Sequence, residues 1–75
     1  MARPADLIEF VAKAIVDHPD EIAVRESDGG RLLELETNED DRGRVIGRQG
    51  RVAKAMRALL GVSRDGADCR LDIVD

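Results

Sequence analysis

Val45-Ile46-Gly47-Arg48-Gln49-Gly50-Arg51-Val52 is the stretch from which the rest of this chain can be read. Two glycines bracket two polar residues. Lacking Cβ atoms, they let the backbone take unusual φ/ψ values and let another chain come close. Downstream, Val52, Met56, Leu59 and Leu60 recur at helical spacing, with Ala53, Ala55 and Ala58 beside them, so residues 50–60 predict a helix. Gly61 stands where a C-terminal cap is expected. Upstream, residues 40–46 predict a shorter helix, with Asp40 and Asp41 in a first turn that favours negative charge. Gly43 is a poor helix former, so that short helix needs tertiary support. Two glycines at this spacing are common by chance. Between two helices, after two strands and before a third, they become specific.

The flanking elements follow outward. Leu7, Val11, Ala14, Ile15 and His18 form an amphipathic stripe, with Phe10 beside it, which predicts a helix over residues 5–17. Pro19 ends it, and His18 is placed to cap its C-terminus. Residues 21–27 alternate, with Ile22 and Val24 inward. Residues 31–37 alternate again, with Leu33 and Leu35 inward. Asp28-Gly29-Gly30 between them supplies a hairpin turn. Residues 69–74 predict a last strand with Cys69, Leu71 and Ile73 inward. The order is αββααβ. A link through two helices joins parallel strands, so the fold class is α+β: a two-layer sandwich with a mixed three-stranded sheet. The second strand is central and the helices cover one face.

The 75 residues suffice for one domain, residues 1–75. A lone cysteine, Cys69, can make neither an intramolecular disulfide nor a cysteine-based metal site alone, and reads as a small core residue. No apolar run is long enough to span a membrane and no signal peptide is evident, so the expected compartment is the cytoplasm. His18, Ser63 and Asp65 show no spacing that builds a catalytic triad or metal site, so neither enzyme chemistry nor a cofactor is expected. Net charge is −4, but its distribution is uneven. Residues 42–57 hold six basic residues (Arg42, Arg44, Arg48, Arg51, Lys54 and Arg57) and no acid. All 16 acids and the other six basic residues lie outside, a balance of −10. Binding responds to the field at the contact surface and not to the total.

That local field coincides with the glycine loop. The loop runs into the N-terminus of a helix, where free N–H groups and the positive dipole end attract phosphate. Arg48 projects from the turn, flanked by Arg44, Arg51 and Lys54, while Val45, Ile46 and Val52 lie beside it as candidates for an apolar floor under unstacked bases. With Gly47, Gln49 and Gly50, these are the candidate nucleic-acid-binding residues.

Arg44-Val45-Ile46-Gly47-Arg48-Gln49-Gly50-Arg51 resembles the I-G-x-x-G signature of the KH domain, and αββααβ is the order of its type II form. Over essentially the whole chain the sequence is similar to the small bacterial KhpA family. The resemblance implies an RNA chaperone or post-transcriptional regulator that holds about four single-stranded nucleotides, with the G-x-x-G loop clamping their backbone. Gly47, Arg48, Gln49 and Gly50 match the clamp and Ile46 the apolar position before it. The loop Val62–Asp68 would close the other wall. The resemblance further implies a homodimer, or pairing with a larger KH protein of the KhpB (Jag) family, and a link to cell shape and cell-wall biogenesis. One position departs from the common pattern: Ala53 stands where a large aliphatic residue is usual, leaving Val52 or Met56 to fill the space. The competing reading is a helix-turn-helix DNA-binding module, whose second helix would read the major groove. The preceding hairpin and following strand suit KH better.

Overall fold

The computed structural model describes residues 3–63 and 66–74. Its elements are α1 (Pro4–Ile15), β1 (Ala23–Ser27), β2 (Leu32–Glu36), α2 (Arg42–Ile46), α3 (Arg51–Val62) and β3 (Arg70–Ile73), with short 3-10 turns between several of them. β2 is the central strand. It pairs antiparallel with β1, Val24 opposite Leu35, and parallel with β3, Leu33 opposite Leu71. This is the expected αββααβ sandwich with a mixed sheet. No helix among the described residues is long and apolar enough to cross a membrane.

The core follows from strand alternation. Leu33, Leu35 and Leu71 are buried on the face that meets the helices, while Arg25, Arg70 and Asp72 stay exposed. Ile8 and Ala12 of α1, Val45 of α2, and Met56 and Leu60 of α3 complete the cluster, with Ile22 just ahead of β1.

Several expectations are corrected. The buried stripe of α1 centres on Ile8 and Ala12, about one residue away from the expected phase. Leu7 is half-buried, Ala14 is exposed and Phe10 is 74% exposed. Apolar residues cover most of this helix's circumference, so spacing alone leaves its rotation ambiguous; contact with the sheet decides it. The helix ends at Ile15, where Val16 turns extended, so His18 does not cap it. Gly61 does not terminate α3, which runs on to Val62. The Ser63 N–H there donates to the carbonyls of Leu59 (3.1 Å) and Leu60 (3.2 Å), and the Ser63 hydroxyl donates to the Leu60 carbonyl (3.1 Å). α2 starts at Arg42, after a 3-10 turn at Glu39–Asp41 in which the Asp40 N–H donates to Asn38 Oδ1 (2.8 Å).

Asp41 is the largest surprise. Expected in an open first turn, it is 1% exposed. Its carboxylate accepts the backbone N–H groups of Asp17 (3.1 Å) and His18 (2.9 Å), and its Oδ2 lies 2.9 Å from His18 Nδ1. The link from α1 to β1 is thereby stapled to the start of α2, the helix that carries the glycine loop.

Candidate nucleic-acid interface

The loop between α2 and α3 is held by short-range bonds. The Gly47 N–H donates to the Gly43 carbonyl (2.8 Å) and the Gly50 N–H to the Gly47 carbonyl (3.0 Å). Gly47 sits at φ 79°, ψ 166° and Gly50 at φ 74°, ψ 16°. Gln49 also takes a positive φ of 58°. Gly47 is confined twice over. Beyond its φ, a Cβ there would lie 2.5 Å from Val52 Cγ2 and 2.7 Å from the Val52 backbone nitrogen. Val52 is thus the surface against which the loop closes, half-buried between loop and core.

The expected site residues separate into three groups. Arg48, Gln49, Arg51 and Lys54 are exposed on the loop and the first turn of α3. Arg51 reaches Gln49 Oε1 at 3.5 Å, the outer limit of a hydrogen bond. Ile46 (37% exposed) and Gly50 line a groove. Val45 and Arg44 do not. Val45 is fully buried and belongs to the core rather than to a groove floor, because its turn of α2 faces the sheet. The Arg44 guanidinium is held by Asp17 (3.0 Å), with Asp41 at 4.0 Å, beside the Asp41 staple.

The groove has a volume of about 510 Å³ and runs between the α2–α3 corner and β3. Ile46, Gly50 and Ala53 form one side. Asp72, Ile73 and Val74 form the other, and Arg57 reaches across. Arg57 donates from Nε (3.2 Å) and Nη2 (3.1 Å) to the Leu71 carbonyl, pinning α3 to the strand. Ala53 therefore opens the groove at the position where a larger aliphatic side chain was expected; neither Val52 nor Met56 lines it. The far wall, Asp72 to Val74, was not anticipated. The signal for Ala53 was its departure from the pattern, and Arg57 stood in the basic segment, but nothing in the local sequence marks the strand. The expected wall at Val62–Asp68 includes residues 64 and 65, which lie outside the described residues.

The electrostatics favour an anion at the loop. Among the described residues, Arg48, Arg51 and Lys54 form no ion pair, whereas Arg3, Lys13 and Arg25 are matched with Glu26, Glu9 and Glu36. Behind the loop, the hydrogen bond that His18 donates to Asp41 raises the His18 imidazole above its ordinary value of 6.5, against the opposing pull of burial, and the Asp41, Glu21 and Asp17 charges add to the rise. Burial alone would push the Asp41 carboxyl up. The Asp17 N–H and both His18 donors outweigh that and hold it below its ordinary 3.8.

Residues 5–73 match the family model described as KhpA/KhpB, KH domain. A relative from Leifsonia xyli subsp. xyli, named RNA-binding protein KhpA, is 48% identical over 73 residues, covering 95% of this chain and 96% of its own. A protein of the same name from Halalkalibacterium halodurans is 47% identical over 73 residues, 92% of this chain and 96% of its own. A third, from Treponema pallidum, is 40% identical over 74 residues, 93% and 92% of the two chains. No solved structure matches the chain.

Proposed function

The chain belongs to the KhpA/KhpB KH-domain family, and from that premise we propose that it binds single-stranded RNA, as its relatives' names state of them. The strand's backbone crosses the Gly47-Arg48-Gln49-Gly50 loop and about four bases enter the groove beside it. One observation carries the assignment: two exposed polar residues, held in a tight positive-φ loop, stand beside a groove lined by Ile46, Gly50 and Ala53. Arg48 supplies charge, and the first turn of α3 supplies backbone donors and the positive end of its dipole. The two contacts differ in kind. Phosphate at the loop fixes register, while bases are read in the groove. The helix-turn-helix alternative loses its ground, since the matched family is a KH domain and its named relatives are RNA-binding proteins.

The chemistry is that of a binding module, with the physiological role of an RNA chaperone or post-transcriptional regulator in the cytoplasm. A single small groove binds weakly, and pairing with a second copy or a larger KhpB-type KH protein would raise avidity. The exposed apolar side chains of Phe10, Leu59 and Val62 favour such pairing.

The test replaces Arg48 and Gln49 together with Asp. Two carboxylates then stand where the phosphate lies, Arg48's attraction is gone, and both glycines remain. Both positions are exposed, so the stability cost is within about half a kcal/mol. The expected result is an unchanged melting curve with single-stranded RNA binding weakened at least about tenfold, or about 1.4 kcal/mol. Undiminished binding by the folded variant overturns the clamp.

A further inference from the structure

Asp41 leads into α2 but spends its carboxylate elsewhere. It stands at the N-cap of that helix and makes no side-chain capping bond to it. Its two oxygens instead take the backbone N–H groups of Asp17 and His18, and the His18 ring completes the set. One turn on, the Arg44 guanidinium meets the Asp17 carboxylate at 3.0 Å. The α1–β1 link therefore grips the start of α2 at two points. We propose that Asp41 is the positioning residue of the clamp: by holding this link against α2, it sets the pose in which the Gly47–Gly50 loop meets RNA. This rests on the RNA-binding reading above and deepens it.

The need for such a grip lies in α2 itself. It has five residues, the second of them Gly43, and a helix that short does not hold its own shape in water. Val45, four residues after Asp41, anchors it in the core. The helix is thus fixed at its start by polar bonds and one turn later by burial. Without the first anchor it pivots about the second. The loop must follow, because the Gly47 N–H is bonded to the Gly43 carbonyl and the Gly50 N–H to the Gly47 carbonyl. Nor can the corner absorb the movement, since Gly47 lies closely against Val52 at the start of α3. A displaced α2 therefore carries Arg48 and Gln49 out of register with the groove.

A carboxylate this deeply buried is tolerable only while its donors stay in place. Arg44, on its own helix, lies 4.0 Å from it, and the link supplies the rest. The charges around His18 are all acids: Asp41 across from it on α2, Asp17 beside it, and Glu21 in the turn that follows. Protonated His18 therefore tightens the grip and neutral His18 loosens it. The His18 side chain is 41% exposed, so it exchanges its proton freely with water. Grip and clamp share one pose of α2, so each favours the other, and such coupling is reciprocal. RNA on the loop strengthens the proton on His18, and the proton on His18 strengthens RNA on the loop.

His18 is the only histidine, so its ring protons report on the grip without ambiguity. The test follows them by NMR across pH, in the free chain and in the chain saturated with random-sequence single-stranded RNA hexamers. RNA is expected to raise the titration midpoint by at least about 0.5 pH unit, and affinity is expected to be about threefold higher below the midpoint than above it. The phosphate field could also raise His18, but at about 0.5 M salt it reaches only about 4 Å. A shift carried by Asp41 persists there. Asp41→Asn offers the two N–H groups one acceptor oxygen in place of two. It should lose the shift and bind RNA at least about fivefold more weakly. Should that variant fail to fold, the parent titrations at both salt concentrations decide. An unmoved midpoint in the saturated parent, a shift abolished by salt, or undiminished affinity in folded Asp41→Asn overturns the positioning role and leaves RNA binding intact. Absence of RNA binding by the parent at every pH overturns the RNA reading and this inference with it.

Discussion

Replacing each clamp glycine by alanine separates the two demands on the loop. Gly47 lies at φ 79°, ψ 166°, a region open essentially only to glycine, where a residue with a Cβ costs roughly 1–3 kcal/mol. Its new methyl would also lie 2.7 Å from the Val52 backbone nitrogen and 2.5 Å from Val52 Cγ2. A backbone atom cannot swing aside as a side chain can, so overpacking adds about 1–3 kcal/mol. The sum, about 2–6 kcal/mol, is a large share of the stability of so small a chain. Gly50, at φ 74°, ψ 16°, is in the left-handed helical region, and a Cβ there meets nothing within 4 Å. The conformational cost is about 1–2 kcal/mol; the stabilisation of about 0.4–1 kcal/mol that alanine brings by restricting the unfolded chain applies to both variants and cancels between them. Urea unfolding of both variants should place Gly47→Ala about 2.5 kcal/mol below Gly50→Ala, the difference between the mid-range costs, each midpoint read with its slope to confirm two-state behaviour. The less damaged variant is the more informative about function. Gly50 lines the groove, so Gly50→Ala stays folded yet places a methyl where the strand enters, and RNA affinity should fall. Equal destabilisation of the two variants would refute the close approach of Val52 to the loop, and with it the reason this corner is rigid.

The remaining expectations follow from charge and exposure. Binding to single-stranded RNA should weaken steeply as salt is raised, because phosphate neutralisation releases counterions; titrations at several salt concentrations check it, and a flat response removes the phosphate contacts. Arg48→Ala should weaken all RNA sequences about equally, since a phosphate contact carries no base information, and an altered base preference would contradict that role. The His18–Asp41 pair should give stability its own pH window. His18, raised above 6.5, contributes fully below that value and loses its contribution as pH rises through the folded-state value. Asp41, held below 3.8, contributes above that value and loses its contribution as pH falls through its folded-state value. Stability from the pair is therefore complete between 3.8 and 6.5, and His18→Gln should flatten the decline of melting temperature above 6.5. A variant with the parent's full pH slope would show that His18 is not its source. Self-association should appear as a concentration-dependent sedimentation coefficient, and strictly monomeric behaviour at high concentration would count against the pairing proposal.

What could be read from the sequence is what depends on neighbours in the chain. The hairpin at Asp28-Gly29-Gly30, the alternation of β2 and the loop from Gly47 to Gly50 are all specified within a few residues, and the structure has them where they were expected. The topology followed, because a hairpin and a two-helix crossover leave few arrangements. The rest depends on contacts between distant segments. Nothing in Glu39-Asp40-Asp41 distinguishes the third acid from the others. Only the fold brings the N–H groups of Asp17 and His18 to it, and so only the fold makes its burial tolerable. The rotation of α1 was ambiguous for a related reason: with so few polar positions, the sheet and not the helix chooses which residues go inside. The far wall of the groove was hidden because β3 is an ordinary strand in sequence. It becomes a wall only by standing at the edge of the sheet, opposite Gly50 and Ala53.

The same separation of local from global explains how an acidic chain can attract RNA. The cations divide by what surrounds them. Arg3, Lys13 and Arg25 face glutamates, and Arg44, though it belongs to the basic segment, is drawn to Asp17 on the α1–β1 link. Arg48, Arg51 and Lys54 are left on the loop and the first turn of α3. An approaching phosphate at physiological salt senses charges within about 8 Å, so at the loop it meets these three cations and the helix dipole, while the distant acids are screened. On the proposed reading of the loop, the balance of −10 elsewhere disfavours phosphate over the rest of the surface and so complements the clamp.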